Sequence, residues 1–124
     1  MGIANTLEII RPPGFFMETK TRTSGEYTIL EIDGDVDLYN VGELKKTIFN
    51  MVDEEDITKL VLDMQGINYM DSSGVGALVA GHKKLKGVDG TFVLLNIKED
   101  ILNILRLATL DQFFTICDSE DNLP

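Results

Sequence analysis

Two short apolar runs, Leu60-Val61-Leu62 and Phe92-Val93-Leu94-Leu95, stand between stretches whose apolar residues recur at helical spacing. A run that is short and apolar throughout suits a strand covered on both faces. Parallel strands of that kind need crossover connections, usually helices. The alternation therefore constrains the chain to a layered α/β fold. At 124 residues it has the length of one domain with one core.

The remaining elements follow from local chemistry. Residues 16–22 mix polar and apolar side chains, Thr23-Ser24-Gly25-Glu26 supplies a turn, and residues 27–32 are rich in β-formers. The pair predicts a hairpin whose second strand ends at Gly34 among Asp33, Asp35 and Asp37. Asn40 with Glu43 reads as a capping box. Behind it Val41, Leu44, Ile48, Met51 and Val52 mark an amphipathic helix of about three turns, closed by the acids 53–56. The buried strand around 60–62 is expected to give way to a loop over 64–70. A second helix follows over 73–85, with Val75, Leu78, Val79, His82 and Leu85 on one face and small residues allowing close approach to a sheet. A third helix is predicted over 98–107, and a last strand over 113–117. The expected order is β-β-α-β-α-β-α-β, a mixed sheet of about five strands with helices mainly on one face. Residues 1–14 read as an N-terminal extension, in which a strand-like run at 6–10 is cut off by Pro12-Pro13-Gly14. Residues 15–118 form the domain, and 119–124 a polar C-terminal tail.

Charge and composition exclude several functions. The net charge of −10, from 21 acids against 11 bases, repels phosphate backbones, so no nucleic-acid partner is expected. The same charge serves solubility or steers a basic protein partner. No apolar run is long enough for a membrane span, and the N-terminus lacks the pattern of a signal peptide. Residues 1–6 fit an N-myristoylation pattern, but so short a match arises by chance. A single cysteine, Cys117, forms no internal disulfide, which agrees with a reducing, cytoplasmic setting.

The most distinctive local feature is Met70-Asp71-Ser72-Ser73-Gly74-Val75-Gly76, which joins a buried strand to a helix. Two readings of it stand. A serine at a helix start caps it, for about 1 kcal/mol. Alternatively, the free N–H groups and positive end of the dipole tolerate a phosphate there, so a phosphoserine would add charge to an exposed docking surface. Gly74 and Gly76 keep that surface low.

This loop, in its strand-loop-helix setting, resembles the phosphorylation loop of the anti-sigma factor antagonists, the single STAS domains of bacteria. Gly34-Asp35-Val36-Asp37 is similar to the Gly-x-x-Asp after the family's second strand. Leu60-Val61-Leu62-Asp63, Ile67 and Met70-Asp71 are similar to its third strand and the approach to the loop. The resemblance covers roughly residues 16–117. It implies a non-enzymatic switch without cofactor or metal, with Ser72 the phosphoacceptor and Asp37, Asp71, Ser72, Ser73, Gly74, Val75 and Gly76 in the partner-binding surface. The implied partners are an anti-sigma factor that is also a serine kinase, which the unmodified form binds so that the sigma factor is freed, and a PP2C-type phosphatase that restores the unmodified form. A monomer or weak dimer is expected. The extension 1–14 is longer than the family usually carries, and an interaction arm is one reading of it.

Other roles compete with this one. A STAS domain can instead serve as a scaffold of a stress-signalling complex or as the soluble subunit of a transporter. Asp33, Asp35, Asp37, Asp63 and Asp71 suggest a metal-dependent phosphatase, although aspartates at strand ends are ordinary turn residues. A phosphoaspartate receiver would need a lysine in the last strand, and 113–118 has none. His82 is expected in the core or on a helix flank, and neither serine sits in a Gly-x-Ser-x-Gly elbow. Cys117, Met64, Met70, Phe113 and Phe114 are assigned to packing.

Overall fold

The computed structural model describes residues 16–124. The expected extension 1–14, with its strand-like run and its myristoylation pattern, lies outside the described residues. The elements are β1 (Met17–Ser24), β2 (Tyr27–Val36), α1 (Val41–Asp53), β3 (Lys59–Met70), α2 (Ser72–Lys86), β4 (Thr91–Leu95), α3 (Glu99–Leu107) and β5 (Thr115–Cys117). One sheet holds all five strands in the order β1-β2-β3-β4-β5. β1 and β2 form the antiparallel hairpin, and β2, β3, β4 and β5 run parallel. This is the expected α/β order. The exposed polar side chains of β1 suit an edge strand, and β5, the other edge, is only 3 residues long.

The three helices share one core with the sheet. Leu30, Ile32, Leu60, Leu62, Phe92 and Leu94 pack with Leu44 and Ile48 of α1, Leu78 and Leu85 of α2, and Ile101 and Leu105 of α3. Each such side chain, fully buried, contributes about 1.5–3 kcal/mol. On the opposite face Ile29, Val61, Val93, Leu95 and Cys117 form a smaller cluster, against which Tyr27 and Leu123 pack. Arg22 of β1 reaches Glu31 and Glu120, each at 2.7 Å, and so ties the C-terminal turn to the sheet. α1 ends at Asp53, whose charge opposes the helix dipole; Lys84 of α2 meets that carboxylate at 2.8 Å.

The expected loop over 64–70 is strand. β3 pairs with β2 all the way to Met70, but the register shifts twice, between Glu31 and Asp33 and again between Gly34 and Asp35. At each shift β3 carries one more residue than β2, which makes two bulges. An extra residue turns the alternation of a strand from two to three. On the face covered by the helices the buried positions therefore run Leu60, Leu62, Met64, then Ile67, with Met70 at 3% exposure completing the series. Polar Gln65, Gly66 and Asn68 interrupt the apolar pattern in the sequence without interrupting the strand. The last strand is also shorter than expected, because Phe113 and Phe114 belong to the turn before it.

β2 makes its own adjustment at Gly34, whose φ is +106°. A Cβ there would run into the carbonyl oxygen of Phe16, where that carbonyl accepts from Asp35 N–H at 2.9 Å. Gly34→Ala is expected to lower stability by about 1–3 kcal/mol, seen as a lower urea midpoint with unchanged slope. Gly42→Ala, on α1 with nothing within 4 Å of the added carbon, should be neutral or stabilising in the same experiment. Equal midpoints for the two variants would refute the steric account of Gly34.

Candidate functional site

The carboxyl ends of β2 and β3 lie side by side, with Asp35 opposite Tyr69 and Val36 opposite Met70. The chain leaves each strand through a tight turn into a helix, so the turn 37–40 and the start of α2 become neighbours. Asp71 is the joint. Its Oδ1 accepts from Ser73 N–H at 2.9 Å and Gly74 N–H at 3.3 Å, and also from the Ser73 hydroxyl. Its Oδ2 accepts from Leu38 N–H of the other turn at 3.3 Å. Its own N–H donates to Val36 O at 3.3 Å.

These bonds decide how the loop is built. The N-cap of α2 is Asp71, in extended conformation, and neither serine fills that position. Of the two readings of the sequence, the serine cap is therefore replaced by a carboxylate cap, and Ser72 becomes the first helical residue. The reason is reach: an aspartate before the helix bonds the N–H groups two and three residues on. Ser73 is half-buried and its hydroxyl is committed to Asp71. Ser72 is exposed, and its hydroxyl takes no part in the bonds that hold the loop. Burial opposes ionisation of Asp71, but the hydrogen bonds from Ser73 Oγ, Gly74 N–H, Ser73 N–H and Leu38 N–H outweigh it. Its pKa lies below the ordinary 3.8, and the group is ionised at neutral pH.

The rest of the motif supports this arrangement. Gly74 is buried, and an added Cβ would meet Met70 Cγ at 2.6 Å and Val36 O at 2.9 Å, so α2 can approach β2 and β3 only with glycine there. Val75 is turned into the core, and Gly76 is exposed with open space around it. Asp37 is buried and organises the first turn: its Oδ1 accepts from Tyr39 N–H at 2.8 Å and Asn40 N–H at 3.1 Å. Asn40, expected to cap α1 with its side chain, makes no side-chain cap bond. It is fully buried and donates through Nδ2 to Asp35 O at 2.8 Å, so the backward reach across the turn wins over capping. Asp37 Oδ2 and Asn40 Oδ1 are buried without a hydrogen-bond partner.

The turn also carries two residues that the sequence analysis passed over. Leu38 is 73% exposed and Tyr39 55%. Their signal was legible: two large apolar side chains between an aspartate and a helix start have no core position to fill. The other candidates lie elsewhere. Asp63, with Asn96 Nδ2 at 3.2 Å and Arg22 at 3.7 Å, sits on the sheet face away from the helices. His82 packs against Phe113 with the rings tilted and their centroids 4.4 Å apart, and burial with the nearby Lys86 charge keeps its pKa below 6.5. Cys117 is a buried free thiol. Among the described residues no group of three or more His, Cys, Asp or Glu side chains could hold a metal ion, and no helix is long and apolar enough to cross a membrane.

The joint can be weighed by removing it. Asp71→Ala should cost about 2 kcal/mol, because a cap and a bridge are lost together. The pKa of Asp71 is depressed on folding, so the ionised side chain stabilises the fold fully above the unfolded value near 3.8. That contribution is lost as pH falls through the lower folded value. The gap in stability between wild type and variant should thus be full at pH 6 and narrow below pH 3.8. A gap independent of pH in urea titrations would refute the role of the charge.

Comparison with known proteins places this geometry. The family model of the STAS domain matches residues 18–123. The anti-sigma F factor antagonist of Lysinibacillus sphaericus is 26% identical over 96 residues, which cover 77% of this chain and 80% of that protein. The crystal structure of an anti-sigma factor antagonist from Mycobacterium paratuberculosis superposes with a TM-score of 0.78 at 20% identity, covering 91% of this chain and 94% of that one. The Bacillus cell fate determinant SpoIIAA in its phosphorylated form has a TM-score of 0.65 at 20% identity, with 84% and 95% covered. With a family match over most of its length, and the same fold as these structures, the chain belongs to the STAS-domain family.

Proposed function

We propose that this chain is an anti-sigma factor antagonist whose binding is switched off by phosphorylation of Ser72. The observation that carries the reading is the division of labour between the two serines. Asp71 engages the Ser73 hydroxyl and leaves the Ser72 hydroxyl exposed at the start of α2. A kinase can reach Ser72 without dismantling the loop.

The same bonds support the direction of the switch. The Ser73 and Gly74 N–H groups already serve Asp71 Oδ1, and the Gly74 and Val75 N–H groups point to Asp71 O at 3.0 and 3.3 Å. A phosphate on Ser72 would find few unclaimed donors in its own chain and an ionised carboxylate beside it. It would stay in solvent, adding about −1.5 to −2 charge. A partner closing over the unmodified hydroxyl would have to desolvate that group in a contact that includes the apolar Leu38 and Tyr39. Unmodified chain would therefore bind the anti-sigma factor, a serine kinase, and free the sigma factor. Phosphorylated chain would release it, and a PP2C-type phosphatase would reset the cycle in the cytoplasm. The similarity to antagonists of anti-sigma F and anti-sigma-B factors supports an anti-sigma factor as partner.

The reading is tested by intact-mass analysis after incubation with ATP and the anti-sigma factor kinases encoded in the genome that carries this chain. Wild type and Ser73→Ala should each gain one phosphate, and Ser72→Ala none. A phosphate on Ser72→Ala would overturn the assignment of the acceptor. No phosphate on wild type, with the kinases active on their own antagonists, would favour a scaffold or transporter role.

A further inference from the structure

Building on that reading, we infer that the Leu38-Tyr39 turn is the apolar anchor by which the anti-sigma factor kinase holds this chain. The partner then presents an apolar cleft rimmed by lysine or arginine. Leu38 and Tyr39 are large, apolar and mostly exposed, at 73% and 55%. Exposed hydrophobic side chains grouped in this way mark interaction sites. They are also held in place. Asp37 Oδ1 fixes the Tyr39 and Asn40 N–H groups, and Asp71 Oδ2 fixes that of Leu38, so the turn is organised before any partner arrives. An anchor that is already ordered loses little freedom on binding. Asp71 links it directly to the loop of Ser72.

Charge selects the occupant. Lys45 and Lys46 lie further along α1, but at this end of the domain the charges are acids, Asp33 and Glu43 exposed and Asp35 and Asp71 half-buried. A second copy of this chain would bring the same acids against them. A partner with basic groups around an apolar cleft is complementary on both counts. Asp35 is suited to meet such a group: it is half-buried and beside the turn, and its hydrogen bonds to Phe16 and Asn40 run through its backbone.

The test uses the full chain and the kinase from the panel that phosphorylates wild-type Ser72, with affinities from calorimetry and association rates across a salt series. Leu38→Ser and Tyr39→Ser should each bind roughly tenfold more weakly or worse, with unchanged thermal melts. Leu107→Ser is the control. Leu107 is 87% exposed, but it ends α3 at the opposite edge of the fold, and its replacement should leave affinity unchanged. Asp35→Asn should slow association and flatten its salt dependence. If wild type is phosphorylated and bound but Leu38→Ser and Tyr39→Ser bind as it does, the anchor is wrong and the switch at Ser72 stands. If Leu107→Ser loses as much, the effect is general stickiness and the anchor is wrong as well. If salt leaves wild-type association unchanged, the basic rim is overturned. If no kinase of the panel modifies or binds wild type, the proposed function falls and the anchor with it.

Discussion

The carboxylate of Asp71 accepts from the backbone of its own helix, from the hydroxyl of Ser73 and from the backbone of the turn that follows β2. Two loops that are remote in sequence are thereby fixed against each other at the carboxyl ends of adjacent parallel strands. Loops at that edge of a parallel sheet are where α/β folds place their sites. Here the ends are joined by a charge that hydrogen bonds keep ionised, and the close approach of α2 at Gly74 depends on the same geometry. What stands at the surface, Ser72 on one side and Leu38 with Tyr39 on the other, is carried on backbone that Asp71, through both oxygens, and Asp37 Oδ1 hold in place.

Much of this was legible in the residues. The apolar runs of β3 and β4, the periodicity of the helices and the turn at Gly25 were sufficient for the element order, because each is a local pattern with a local cause. The bulged half of β3 was not. Periodicity arguments assume a fixed repeat, and two inserted residues changed the spacing of Met64, Ile67 and Met70 from that of a strand to something that reads as neither strand nor helix. Only the pairing with β2 restores the sense of the pattern.

The caps show the same limit at shorter range. Asp71 rather than a serine caps α2, whereas Asn40 keeps the N-cap position of α1 but turns its side chain back to Asp35 O, and Asp37 Oδ1 organises the turn before it. Sequence alone offers candidates for an N-cap but does not rank neighbours such as Asp71 and Ser72, nor say whether a cap residue uses its side chain, because both are set by how the chain enters the turn. The resemblance to the phosphorylation loop identified the segment. It also pointed to Ser72; the physical difference between the two serines, the bond of the Ser73 hydroxyl to Asp71, is visible only in the structure.

The location of these bonds bears on time as well as on affinity. Helix start and turn are complete while the Ser72 hydroxyl is idle, so adding or removing a group on that oxygen calls for no rearrangement of strand, cap or core. The switch proposed at Ser72 would carry no slow conformational relaxation of its own. Its response would be as fast as the enzymes that write and erase the mark, and its memory as long as the interval between their visits. The domain would act as a passive record, with the tempo of the circuit set entirely by its partners.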